Sequence, residues 1–455
     1  GASSQTTTTA YDANGNTISI TDPLTNATQQ AFDALNRLVK VTDPLSGEAE
    51  YAYNGQGQLT SVTDQRHLTT TYTYNGFGDV IQLNSPDTGT TTYIVDVAGN
   101  RTQQTDARGI VTNYSYDAVN RITSMQFPAN SAENVIYSYD DQTSGNSGKG
   151  RLTSLTDQSG TTSYVYDDRG NVLTDTRVMG THTYHTHYQY DMADNLTQVT
   201  YPSGRVVTYQ RDVQGRVASV ATQLTATSAP AMLASAMTYE PFGPLTSLTY
   251  GNGLALDLSY DQDYRLTGIT TDDGSTVIQN LAYTHDAADN ITAITDALTT
   301  ARTQTFGYDA LHRLTTATGL YGTLGYTYDA VGNRLSRTQG GTTETFTYDT
   351  VSNRLLSATT GSSTRSFGYT ANGQTTTDNR GAGDVYGLLY NHQNRLNEVK
   401  KNSVSDTMYT YNALGQRVLK DTVSLSTPDI HFLYDRDGRL LAESSTEGVT
   451  TREYI

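Results

Sequence analysis

The chain has 455 residues, with no Cys, no Trp, 9 Pro, 39 Gly and 34 Tyr, and only 16% of it is charged against a usual ~25%. Without Cys there is no disulfide framework and no cysteine-rich metal site, so stability must come from packing and hydrogen bonds. The formal charge is −17 with Lys and Arg scattered, which excludes the concentrated positive surface that nucleic acid or an anionic membrane needs. No stretch reaches the ~18 to 20 apolar residues of a membrane span.

The first ten residues, "GASSQTTTTA", lack the basic and apolar pattern of a signal peptide and read as a leader into the repeats. From residue 11 a period takes over. Tyr11, Phe32, Tyr53, Tyr74, Val95 and Tyr116 stand 21 residues apart. Tyr139, Tyr166, Tyr190, Arg211 and Tyr239 follow at looser spacing, then Tyr260, His285, Tyr308, Tyr328, Tyr348, Tyr369, Tyr390, Tyr411 and Tyr434. The period survives replacement of the Tyr itself, so the repeat is structural, and a fixed period decides the architecture.

Most anchors are followed by Asp and, four residues on, by Gly, Asn or Asp, as in Tyr11–Asp12–Gly15, Tyr116–Asp117–Asn120, Tyr166–Asp167–Gly170, Tyr328–Asp329–Gly332 and Tyr434–Asp435–Gly438. Those are the residues that tolerate positive φ at least cost, so each segment reads as a tight turn started by an Asx-type cap. Tyr264, His312 and Ser352 break the rule at the fourth position. A second turn signal follows in many repeats, "TDPLTN" at Thr21, "TDPLSG" at Thr42, "TDARG" at Thr105 and "TDQSG" at Thr156. Between turns lie five to seven residues rich in Thr, Val, Ile, Leu and Tyr, which are strand formers at strand length.

One repeat is therefore strand, turn, strand, turn, and the fold is all-β. Pairs such as Tyr51 and Tyr53, or Tyr72 and Tyr74, share a face by the two-residue period. The second strand is less regular. Leu38 and Val41, or Val80 and Leu83, differ in parity, so either a bulge intervenes or both faces are partly covered. Two architectures fit. A parallel β-helix would put one repeat in each coil. Antiparallel hairpins laid edge to edge would make a ribbon of about 40 strands at ~4.8 Å, roughly 190 Å long, which must curl and can wind as a spiral around a hollow. The Tyr- and Thr-rich composition favours the hairpin spiral, because a narrow β-helix core prefers aliphatic residues.

"YDALNRLVKVTDPLSG", "YDAVGNRLSRTQGG" and "YDDRGNVLTD" resemble the YD repeats of the Rhs family, which includes bacterial Rhs and wall-associated polymorphic toxins, Tc toxin C subunits and teneurins. The resemblance covers residues 11 to 455, with 11–433 as repeat shell. Residues 434–455, "YDRDGRLLAESSTEGVTTREYI", resemble the last repeat and the opening of an Rhs-associated core. It implies a hollow β-sheet cocoon, secreted or on the surface of a bacterium. Its partners would be a toxic C-terminal domain of the same polypeptide and proteins of a secretion apparatus. The self-cleaving core segment with its Asp-Pro lies beyond the sequence read here, so no protease residue carries over.

No other motif carries chemistry strongly. "THTYHTHYQYD" holds His182, His185 and His187. On a strand His185 and His187 share a face and could pair on a metal, but no carboxylate or Cys in the segment completes a usual zinc set, and polar residues of an alternating strand explain them. "GNSGKG" at 145–150 lacks the Walker spacing and reads as an inserted hairpin loop. Asn26, Asn100, Asn113, Asn195 and Asn290 head Asn-x-Ser/Thr triplets that a Thr-rich chain produces by chance. The expectation is a shell without catalysis, cofactor or metal. An adhesin or carbohydrate-binding array is the alternative, since Tyr-rich faces suit sugars.

Overall fold

The structure, a computed structural model, describes residues 5–143, 145–423 and 429–455; the first four residues of the expected leader lie outside them. Among the described residues there are 41 strands and two single-turn 3₁₀ segments, Ser131–Glu133 and Thr300–Arg302. The pairing is antiparallel between strands adjacent in the chain. Each repeat supplies two strands, as the double turn signal implies, and parallel one-coil stacking is ruled out.

The hairpins closed by an anchor turn share one irregularity. In the pair Ala27–Phe32 and Leu38–Thr42, Phe32 faces Leu38, Ala31 faces Lys40 and Gln30 faces Val41. One residue of the second strand is thus extra, a β-bulge beside the anchor. Leu38 and Val41 consequently lie on one face despite their opposite parity. The same holds for Val80 opposite Tyr74 and Leu83 opposite Tyr72. The bulge settles the question that the alternation leaves open. In Thr69–Tyr74 the exposed residues Thr69, Thr71 and Thr73 alternate with the half-buried Thr70, Tyr72 and Tyr74.

The chain forms two compact units. One holds Gly1–Tyr93, Asp106–Arg108 and Leu256–Gly383; the other holds Ile94–Thr105, Gly109–Ala255 and Asp384–Ile455. Within the first, hydrogen bonds join turn edges 266 to 289 residues apart, such as Asn353 to Asp87 and Asp64. Within the second the separation is 239 to 260 residues, as in Arg177 to Gln416 and Tyr184 to Ser444. In each unit an earlier and a later stretch of the ribbon therefore lie edge against edge. Two clusters of buried apolar residues sit where this happens in the second unit. Val172, Tyr188, Val199, Tyr201, Val207 and Leu441 form one cluster, and Met179, Tyr184, Val418, Leu433 and Ala442 another.

Candidate functional site

The repeated turn is built by its Asp. The Oδ1 of Asp33 accepts the backbone N–H groups of Leu35 and Arg37 at 2.8 and 3.0 Å, and Oδ2 accepts Arg37 Nε at 2.8 Å. Asp12, Asp117, Asp167 and Asp329 do the same for their own turns. Asp435 holds only the backbone of its turn, at Asp437 and Arg439. The fourth position has positive φ: Gly15 +87°, Gly170 +99°, Gly332 +93°, Gly438 +82° and Asn120 +63°. Tyr264 and His312, which are neither Gly, Asn nor Asp, adopt +61° and +59° all the same. Ser352 belongs to a turn one residue longer, closed by Asp349 N–H on the Arg354 carbonyl. The "TD" turns at the other edge reuse the device, with Asp22 and Asp43 as caps.

The anchor Tyr joins one repeat to the one before it. The hydroxyls of Tyr116, Tyr166, Tyr328 and Tyr434 donate to the carbonyls of Arg101, Leu152, Leu314 and Arg417, 14 to 17 residues back. Tyr11 is exposed. Where the anchor is Arg211, its guanidinium makes the equivalent bond to the Leu196 carbonyl at 3.0 Å. A second link runs forward from the fifth position. When it is Arg, the guanidinium lies over the next anchor ring, as Arg37 over Tyr53 at 4.7 Å and Arg121 over Tyr139 at 4.3 Å. In several repeats where it is Asn, the amide donates to the next repeat's fourth side chain, as Asn16 to Asn36, Asn100 to Asn120 and Asn171 to Asp194. Sequence reasoning treated that position as a matter of φ alone and missed this coupling, whose signal is the Asn in the preceding repeat.

The expected His pair stands as a stack. The rings of His185 and His187 are 6.0 Å apart and nearly parallel, and each Nδ1 is hydrogen-bonded to a Thr of the facing strand, Thr176 and Thr174. The 145–150 segment clasps the neighbouring strand: Asn146 donates to the Tyr164 carbonyl and accepts the Tyr166 N–H. Among the described residues no three His, Cys, Asp or Glu side chains gather around a possible metal, and no helix is long and apolar enough to cross a membrane.

The second unit's edge-to-edge seam is where the side-chain chemistry departs from the repeat. Asp175 and Arg177 are buried, with Arg177 Nε 3.7 Å from Asp175 Oδ1. That is too long for a hydrogen bond, and both carboxylate oxygens lack a partner. Burial pushes the Asp175 carboxyl up, against the pull of Arg177. Arg177 also donates to Gln416 across the seam. Elsewhere along it, His392 meets Glu133 through N–H and Nδ1, and Arg436 donates to the hydroxyls of Tyr188 and Tyr190. Two clefts open here. One, of about 450 Å³, is walled by Tyr190, Tyr209, Tyr454 and Leu441; the other, of about 440 Å³, by Met179, His182, Val418 and His431.

A hairpin ribbon stitched by Tyr and Asp and wound against itself defines a YD-repeat shell protein. The Teneurin YD-shell model matches residues 2–176 and 245–454, and the RHS Repeat model matches 176–206 and 190–228; the chain belongs to the teneurin YD-shell family. No curated protein matches it in sequence. Among solved structures it is similar to a Tc holotoxin pore of Photorhabdus luminescens, with TM-score 0.79 and 18% identity over 98% of this chain and 27% of that one. It is similar also to a TcdB2-TccC3-Cdc42 complex, with TM-score 0.74 and 17% identity over 97% of this chain and 29% of the other. TcdB2-TccC3 without its hypervariable C-terminal region gives a TM-score of 0.59 and 15% identity, over 98% of this chain and 32% of that one. The chain thus spans under a third of the length of these neighbours, and the likeness is one of fold.

Proposed function

We propose that the chain is wall: a stretch of YD-repeat shell whose windings enclose a toxic polypeptide, the C-terminal part of its own gene product, in a secreted bacterial toxin. The observation that carries this is the ribbon's thinness. A compact protein of this mass would expose roughly 17,000 Å², whereas this one exposes 24122 Å². Its strands are wetted on both faces, and its buried apolar clusters lie on the seam. A wall one sheet thick spends its residues on area, which suits enclosure and not a packed globule. The fold shared with Tc toxin shells supports the toxic nature of the cargo. The face that carries the half-buried Tyr would hold an unfolded chain by many weak contacts. No catalytic step is assigned to the chain.

The test is limited proteolysis of the full gene product, followed peptide by peptide. Enclosure predicts that the region outside the repeats is cut at least about tenfold more slowly in the intact protein than when expressed alone, as expected of a segment that protease reaches only by opening. Equal rates would end the reading and leave an exposed binding array.

A further inference from the structure

The smaller cleft of the second unit has a chemistry that the repeat does not explain. Met179 and His182 face each other across the hairpin of Val172–Met179 and His182–Tyr190. His431, on Ile430–Tyr434, comes from the opposing edge of the seam, and all three side chains wall the same space of about 440 Å³. The rings of His182 and His431 are 6.3 Å apart and set edge to face at 63°.

A chain of polar contacts holds the His431 ring in place. Ser444 Oγ donates to the Ser445 carbonyl at 3.1 Å. Tyr184 Oη lies 3.4 Å from Ser444 Oγ and 2.9 Å from His431 Nδ1. The close contact engages Nδ1 and turns the ring about it, so Nε2 is the nitrogen offered to a metal, the arrangement by which an outer partner orients a metal-binding imidazole. His182 packs its Nδ1 side against Gly448, where a Cβ would come within 2.7 Å of it.

We propose that His182, His431 and Met179 bind one copper(I) ion through the two imidazole Nε2 atoms and the thioether sulfur. Two imidazoles on one metal, with bonds of about 2 Å, place their ring centroids about 5 to 6.5 Å apart, and the observed separation falls in that range. Imidazole with thioether is a soft set that selects copper(I) over magnesium or calcium, which take oxygen ligands. No carboxylate walls the cleft. His185 and His187 lack a third ligand, and both have Nδ1 engaged with Thr.

A chain with no Cys, 6 Met and 8 His gives a low background for titration. Copper(I) is offered anaerobically to the full chain against a chromogenic chelator, and silver(I) serves as a redox-silent probe of the imidazole nitrogens by NMR. The expected result is one equivalent bound with Kd below about 10 µM, with the silver-shifted nitrogens belonging to His182 and His431. Met179→Leu keeps the volume of the side chain and should weaken binding at least about tenfold with the fold intact by circular dichroism. His431→Gln should abolish it, and His185→Gln with His187→Gln should leave it unchanged. Absence of stoichiometric binding by the wild-type chain, full affinity in Met179→Leu, or loss of binding in the His185/His187 variant would each overturn the assignment.

Discussion

Asp33 shows how much one residue does here: its carboxylate ties together two backbone N–H groups and the Arg37 side chain. The turn then needs a residue at positive φ, and Gly332 supplies it at +93° with open space where a Cβ would point. The penalty for Gly332→Val is therefore conformational, about 1 to 2 kcal/mol or somewhat more for a β-branched residue. It should appear as a lower urea midpoint with an unchanged spectrum. Tyr328→Phe keeps the ring and removes only the 2.7 Å bond to the Leu314 carbonyl, for a loss of about 0.5 to 1.5 kcal/mol. The caps also set a pH dependence. Hydrogen bonds from the Asn16 side chain and then its backbone hold Asp12 below the ordinary carboxylate value, and Arg37 does the same for Asp33. A lowered folded value means that this stability is complete above about pH 4 and is lost as pH falls through the folded values. The thermal midpoint should drop on acidification below about pH 4, and less steeply in Asp33→Asn.

The hairpin was legible in the sequence because both its determinants are local. Turn residues recur at fixed offsets, and the strands between them have strand composition; together these exclude helix and count the elements. What sequence reasoning left open, the parity of Leu38 and Val41, depends on a bulge that alternation cannot place, since an extra residue looks like a change of face. The fourth position hid a second meaning behind its φ. Asn120 is tolerated at +63°, but its Oδ1 also receives the Asn100 amide at 2.9 Å. If φ alone mattered, Asn120→Gly would be neutral or better. The coupling predicts a loss of about 0.5 to 1 kcal/mol that vanishes when Asn100 is already Ala, read from a double-mutant cycle in urea.

At the scale of the molecule the sequence is silent, because a 21-residue period encodes only neighbours, whereas the seams join residues 239 to 289 apart. Nothing in "LTDTRVM" marks Asp175 and Arg177 as the residues that will be buried at the seam of the second unit. Their environment is expensive: two charges out of water, with neither carboxylate oxygen hydrogen-bonded. A buried pair of this kind contributes little net stability, yet removing one member strands the other. Asp175→Leu alone should therefore cost about 3 to 5 kcal/mol, while Asp175→Leu with Arg177→Met should be neutral or gain about 1 to 4 kcal/mol. The pH test separates this from simple repacking. Asp175 has a raised folded value, so its contribution is complete below the unfolded carboxylate value near pH 4 and is lost as pH rises through the folded one, the reverse of the turn caps. The double variant should gain most over wild type near neutral pH and least in acid. A gain independent of pH would show that packing alone was at stake. A loss equal to the sum of the single effects would show instead that the pair holds the seam closed. If the expected pattern is found, the second unit is kept below its attainable stability at its seam by this one buried pair.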